Sequence, residues 1–456
     1  MEWNTDAPGV RVDSQPAAPQ ANSRERTLFG HPLGLFVLFS TEMWEKFSYY
    51  GMRALLVYYM VGVLRYPIAQ ASIIYGGYTA MAYLTPIFGG YIADRWLGRH
   101  RAVMLGGSIM ALGHFMLTQA VLFYPALVAI VLGNGLFLPS LPGQVRALYR
   151  KDDPRLTSAY SIYYVGINVG GFLAPLVCGA LGELVGWDWG FGAAGVGMLL
   201  GLIVYTCGAK WLPASSRAPA PQQVSSRTQR GARTDQRPLI MALGLVALVV
   251  VIYRAAYEQQ GNSVALWIEG VDRHVGAWTI PMTWFQSLNS LIIFVAAPFL
   301  AARWTRSAAG GREVPPLRRM AFGAALGAGS YVWLALVQVL GWQNFAGVGS
   351  LTIAVHFLLL TISELYILPV GLALFGQIAP KGFESTLIAL WFLSSFGGNL
   401  ASGILGALWS SMSHQGFFLL TAAVCLVSSA LLLYLNSFLM PRLAHKSIPS
   451  DIPFLP

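Results

Sequence analysis

Between Thr41 and Met60 the chain reads TEMWEKFSYYGMRALLVYYM, and the residues Pro32–Phe39 before it and Ala54–Val61 at its end are almost entirely apolar. Four charged residues, Glu42, Glu45, Lys46 and Arg53, interrupt what is otherwise the pattern of a membrane helix. With Tyr49 and Tyr50 they fall at relative positions 0, 3, 4, 7, 8 and 11, which is one stripe on a helix of 3.6 residues per turn. Each charge facing lipid would cost ~2.5–3.5 kcal/mol on insertion scales. The stripe therefore faces protein, water or its own members, and the chain must fold as a helical bundle with a polar cavity inside.

The rest of the sequence supplies that bundle. Of 456 residues, 55% are hydrophobic and only 11% are charged, against about 25% charged in soluble proteins. Apolar blocks of about 20 residues alternate with short polar turns, the signature of a polytopic all-α membrane protein. The short alternating segments of a transmembrane β-barrel are missing. Twelve spans are expected, near 32–61, 70–92, 101–122, 126–148, 157–180, 189–208, 238–268, 279–302, 319–340, 347–375, 385–410 and 416–440. Residues 1–30 are polar and lack the apolar core of a signal peptide, so they read as a cytoplasmic tail, as do residues 442–456. The connection 209–237, rich in Pro, Ser, Arg and Gln, divides residues 31–208 from 238–441 as a cytoplasmic linker. Two six-helix halves around a central cavity is a layout many secondary transporters share.

The net charge of +10 is a matter of topology. Of the 29 Lys and Arg, 24 lie in the tails and in connections on the side of the termini, while only Arg65 and Arg273 lie on the other side. By the positive-inside rule both termini are cytoplasmic, and nucleic-acid binding is not implied. Cys178, Cys207 and Cys425 stand far apart within or at the ends of spans, with no CxxC or Cys/His cluster. They read as packed small side chains rather than disulfides or metal ligands.

Seven charged residues lie inside spans: Glu42, Glu45, Lys46, Arg53, Arg254, Glu258 and Glu364. Three positive against four negative suggests mutual pairing in a shared cavity, since an unpaired buried ion is expensive. Arg254 and Glu258 are four apart and can pair along one helix. A carboxylate raised in pKa by burial and lowered again by an approaching cation can load and release a proton, and Glu42, Glu45 and Glu258 are candidates. His114 and His356 read as satisfied core residues. No nucleophile elbow, HExxH or phosphate-cradling loop appears, so the chain reads as no enzyme, and GVGMLLG at 195–201 lies inside an apolar span with no strand before it.

Two stretches carry a resemblance. GGYIADRWLGRHRAV at 89–103 resembles the loop signature of the major facilitator superfamily through Gly90, Asp94, Arg95, Gly98 and Arg99. The run Glu42-Met43-Trp44-Glu45-Lys46-Phe47-Ser48-Tyr49-Tyr50-Gly51 resembles the ExxER/K-F-x-Y-Y-G signature of the proton-dependent oligopeptide transporter (POT/PTR) family within that superfamily. Further similar stretches are SIYYVGINVGGFLAP at 161–175, YEQQGNS at 257–263, WFQSLN at 284–289, SELYILPVGL at 363–372 and APKGFESTLIALWFLSS at 379–395.

The resemblance implies the superfamily fold, two bundles of six helices, and proton-coupled import of di- and tripeptides by alternating access, with protons as coupling ion and no cofactor. It implies a coupling motif of Glu42, Glu45 and Lys46, with Glu258 and Arg254 also in proton coupling, and a gate pair of Arg53 and Glu258, with Arg53 also among the substrate-binding residues. Asn168 and Asn289 would bond the peptide backbone, and Glu364 would take its ammonium. Tyr49, Tyr50, Tyr83, Trp284, Trp391, Phe392 and Ser395 would line side-chain pockets. Three departures stand out. GNGLFLP at 133–139 puts Leu138 where the family's GxGxxKP has lysine, so Arg254 is the candidate for the missing positive charge. The linker is too polar for the two extra helices of many bacterial members, and 341–346 is too short for the extracellular domain of vertebrate ones. A bacterial inner-membrane symporter is expected. Its rivals are a relative carrying nitrate or another small metabolite, and a non-transporting receptor on the same fold.

Overall fold

The computed structural model describes residues 27–150, 153–213, 237–311, 314–378 and 384–444. Both expected tails (in the main), most of the linker and Lys381 lie outside the described residues. Among the described residues nine segments are long and apolar enough to cross a membrane: Ala120–Ala147 (α4), Leu156–Leu184 (α5), Trp187–Trp211 (α6), Leu239–Glu269 (α7), Met282–Ala309 (α8), Pro316–Leu340 (α9), Val348–Gly376 (α10), Leu387–Ser411 (α11) and His414–Phe438 (α12). Three more helices precede them, Leu33–Gly62 (α1), Ile68–Ile92 (α2) and Arg99–Met116 (α3). Each has a reason to be less apolar. The first carries the charged stripe, the second is rich in Gly and Tyr, and the third opens on Arg99, His100 and Arg101. The twelve expected spans are thus all present as helices.

A short antiparallel pair, Thr27–Leu28 with His31–Pro32, precedes α1, and a second, His274–Val275 with Trp278–Thr279, joins α7 to α8. The first is fastened to the α4–α5 connection, where Arg155 donates to the Gly30 carbonyl at 2.7 Å and His31 Nδ1 meets the Tyr149 hydroxyl at 2.8 Å.

In each half one helix is buried deepest. α1 is enclosed by α5 and α6, and α7 by α11 and α12. From Tyr253 to Ile268 every residue of α7 is buried. This helix is also broken: it turns as a 3-10 helix over Glu258–Gly261 before resuming at Ser263–Glu269. A 3-10 interruption within a long helix releases regular backbone pairing and often marks a functional position.

The halves touch closely at the end remote from the termini. Tyr58 donates to the Ala265 carbonyl at 2.8 Å, and Ser72 to Asn262 Oδ1 at 3.0 Å. The Glu183 carboxylate accepts from the backbone N–H of Met282 and Thr283, both at 2.8 Å, and from the Thr283 hydroxyl at 2.5 Å. There α2 and α11 meet backbone to backbone: a Cβ on Gly76 would stand 2.5 Å from the Gly403 Cα. Only glycine permits that approach.

Candidate transport site

The charged stripe of α1 divides between two places. At its lower part Lys46 Nζ lies 2.7 Å from Glu45 and 3.4 Å from Glu42, and the Tyr163 hydroxyl of α5 donates to Glu42 at 2.6 Å. Both carboxylates are at most 1% exposed, so each needs the partner it has. Leu138 adds no charge to this cluster. One turn further on, Tyr49 is buried and stacks edge-on against Tyr50.

Arg53 crosses to the other half. Its Nη2 donates to Glu258 Oε2 at 2.5 Å, while its Nε donates to the Tyr75 hydroxyl at 2.7 Å. The other oxygen of the same carboxylate accepts from Arg254 Nη1 at 3.1 Å. Glu258 is therefore held by two guanidinium groups at once, one from each half.

Between the halves lies a cavity of about 900 Å³, its open mouth included, lined by Tyr50, Arg53, Tyr83, Tyr164, Asn168, Arg254, Tyr257, Glu258, Asn289 and Glu364 among others. Glu364 from α10 lines the same cavity as Arg53, Arg254 and Glu258, accepting from the Tyr257 hydroxyl at 2.5 Å and from Asn289 at 2.8 Å. Asn168 on α5 donates back to the Tyr164 carbonyl at 3.0 Å, leaving its carbonyl for a ligand.

Six of the expected substrate-binding residues thus share one cavity: Arg53, Tyr50, Tyr83, Asn168, Asn289 and Glu364. Five stand outside its lining. Tyr49 packs behind Tyr50. Trp284 donates to the Leu176 carbonyl at 3.1 Å and meets Trp278 edge-on, belonging to the contact between halves. Trp391 is buried against Phe375, Ser395 is 1% exposed within the C-terminal half, and Phe392 is 42% exposed. The coupling residues Glu42, Glu45 and Lys46 also lie outside the lining, in a compartment of their own. His114 departs from the expectation of a satisfied core residue, since neither ring nitrogen has a hydrogen-bond partner among the described residues.

Sequence reasoning missed Tyr163, Tyr75, Tyr257 and Glu183. Tyr257 and Tyr163 lay within the similar stretches YEQQGNS and SIYYVGINVGGFLAP, and all four meet their partners across the fold.

A central cavity that joins two six-helix halves through buried ion pairs defines a membrane transporter of the major facilitator fold. The POT family model matches residues 100–228 and 214–420, and the chain belongs to that family. It is 32% identical to the peptide transporter YePEPT of Yersinia enterocolitica, over 84% of this chain and 88% of that one. It is 29% identical to a di-/tripeptide transporter of Lactococcus lactis subsp. cremoris, over 91% and 97%. Among solved structures, a crystal structure of a variant of the peptide transporter POT superposes with a TM-score of 0.82 at 28% identity, covering 92% of this chain and 97% of the other. The protein is a multi-pass membrane transporter.

Proposed function

We propose that the chain is a proton-coupled symporter that imports di- and tripeptides by alternating access, in a bacterial inner membrane with both termini cytoplasmic. The observation that carries this reading is that one cavity holds charges of both signs: Arg53 and Arg254 flank Glu258, and Glu364 is held by Tyr257 and Asn289. A zwitterion matches such a site at both ends. An anion such as nitrate has no use for Glu364, which favours peptide over that rival. The names of the relatives support the same cargo.

In this reading residues 31–208 and 238–441 are the two moving bodies, and residues 209–237 tether them. With the termini in the cytoplasm, the tight contacts at Tyr58, Ser72 and Glu183 close the outer side, and the cavity belongs to an inward-facing carrier. Arg53 and Glu258 form the outer gate. Opening it leaves Glu258 on Arg254 alone, while Glu42, Glu45 and Lys46 form the coupling motif in the separate compartment beside Tyr163. Asn168, Asn289 and the ring edges of Tyr50 and Tyr83 bound the peptide, and Trp284, Trp391, Phe392 and Ser395 support it from outside the lining. The test is uptake into proteoliposomes under an inward proton gradient, with competition by amino acids, di-, tri- and tetrapeptides and nitrate. Accumulation suppressed by di- and tripeptides alone is expected. Accumulation that ignores the gradient, or that nitrate competes away, would overturn the proposal.

A further inference from the structure

Arg53 and Arg254 both reach the cavity, yet they are not equally free. Arg53 is committed in two directions, to Glu258 through Nη2 and to Tyr75 through Nε. Arg254 gives Nη1 to Glu258, but its Nε is buried with no acceptor among the described residues. A guanidinium has five N–H donors, and a buried N–H without an acceptor is unfavourable. The side chain is only 6% exposed, so water does little to relieve it.

Its placement is fixed by its surroundings. The guanidinium lies 5.7 Å from the centre of the Tyr83 ring, close enough for the ring face to favour the cation. The stem runs along α11 at Gly398, where any Cβ would collide with the Arg254 side chain. Arg254 is therefore built into a slot in the cavity wall, with more N–H donors than its one bond to Glu258 uses.

The described lining of the cavity carries four formal charges: Arg53, Arg254, Glu258 and Glu364. As a set they are neutral before any ligand arrives. A zwitterion preserves that neutrality. A ligand with its carboxylate amidated leaves one positive charge in excess, and one without an ammonium leaves one negative charge in excess. Leu138 on α4 cannot serve as a carboxylate receptor, so the N-terminal half has only the committed Arg53 to offer.

We infer that Arg254 is the specificity-determining receptor for the carboxylate of the cargo, so that the C-terminal half holds both ends of a zwitterionic ligand, the carboxylate at Arg254 on α7 and the ammonium at Glu364 on α10. This deepens the peptide-carrier reading and rests on it. Arg254 stays paired with Glu258 until the ligand arrives, and the incoming carboxylate takes guanidinium N–H groups that Glu258 does not use. No covalent bond changes.

The experiment measures binding of dialanine and of its C-terminal amide to the purified full chain by isothermal titration calorimetry. The wild type is expected to prefer the free acid by about 10- to 100-fold. Arg254→Gln is expected to bring that preference within about 3-fold of unity by weakening the acid alone. Arg254→Lys keeps a cation beside Glu258 and guards against a folding defect; it is expected to retain a reduced preference of about 3- to 10-fold. An unchanged preference in the Gln variant, or an equal loss for acid and amide, overturns the assignment and leaves the peptide reading standing. A wild type that binds acid and amide equally does the same. A wild type that binds neither overturns both.

Discussion

Removing one carboxylate at the contact remote from the termini is expected to change which face of the carrier is open. Glu183 on α5 gathers three donors from the start of α8, the N–H of Met282 and Thr283 and the Thr283 hydroxyl. Those N–H groups have no partner of their own at a helix start, so the carboxylate both satisfies them and meets the positive end of the α8 dipole. Charge-assisted hydrogen bonds are worth about 1.5–3 kcal/mol each when desolvated. Glu183 is only half-buried, so water recovers much of this after truncation, and about 2–3 kcal/mol in total is the expected loss from the closed state. That corresponds to a shift of about 30- to 150-fold toward opening at this end. Spin labels at Val63→Cys and Val275→Cys, on opposite halves and both exposed at that end, in a background with the native cysteines replaced, read the separation by electron–electron double resonance. Glu183→Ala is expected to populate a longer distance that the parent lacks, and Thr283→Val, which removes one of three donors, a smaller fraction of it. An unchanged distance distribution in Glu183→Ala would refute the assignment of the latch.

Other perturbations separate the parts of the site. Glu364→Gln is expected to raise the KM for ordinary dipeptides by about 10-fold or more, and to change little for analogues lacking the amino group; equal losses for both would count against an ammonium partner. Arg53→Gln breaks the crossing between halves but leaves Glu258 paired with Arg254, so gradient-driven uptake should fall by about 10-fold or more while peptide-for-peptide exchange persists; uptake at the parent rate would contradict its gating role. The Asp153 carboxyl, outside the membrane spans, is pulled down to about 2 by the side-chain and backbone hydrogen bonds of Arg155. A depressed carboxylate contributes stability above its unfolded pKa of about 3.9 and loses it as pH falls toward 2. Asp153→Asn should therefore leave the shape of the uptake profile between pH 5 and 8 unchanged, and an altered midpoint would show that this loop takes part in coupling.

The spans were legible because their cause is local: a run of apolar residues must be a helix in lipid. The same holds for Glu42, Glu45 and Lys46, whose spacing alone declares a shared face. Arg254 and Glu258 were readable as a pair for that reason too. The crossing of Arg53 to Glu258 came through resemblance, because nothing local links residues 205 positions apart. Tyr163 under Glu42 lay within the similar stretch at 161–175 with no role assigned, and Glu183 over α8 had no signal of either kind. Motifs also announced helices more faithfully than faces: ALWFLSS placed α11 near the cavity, yet Trp391 and Ser395 are buried within its own half and Phe392 is exposed. The 3-10 turn at Glu258–Gly261 was hidden inside an apolar run, where hydropathy cannot distinguish one helical backbone from another.

Where Gly76 meets Gly403, two main chains abut with no side chains between them. Bare peptide backbones in contact offer nothing soft to compress, so they act as a hard stop. A machine with such a stop reaches the same shut position on that flank whatever it carries. Differences in cargo bulk must then be taken up elsewhere, by the aromatic walls and by the opposite flank of the bundle.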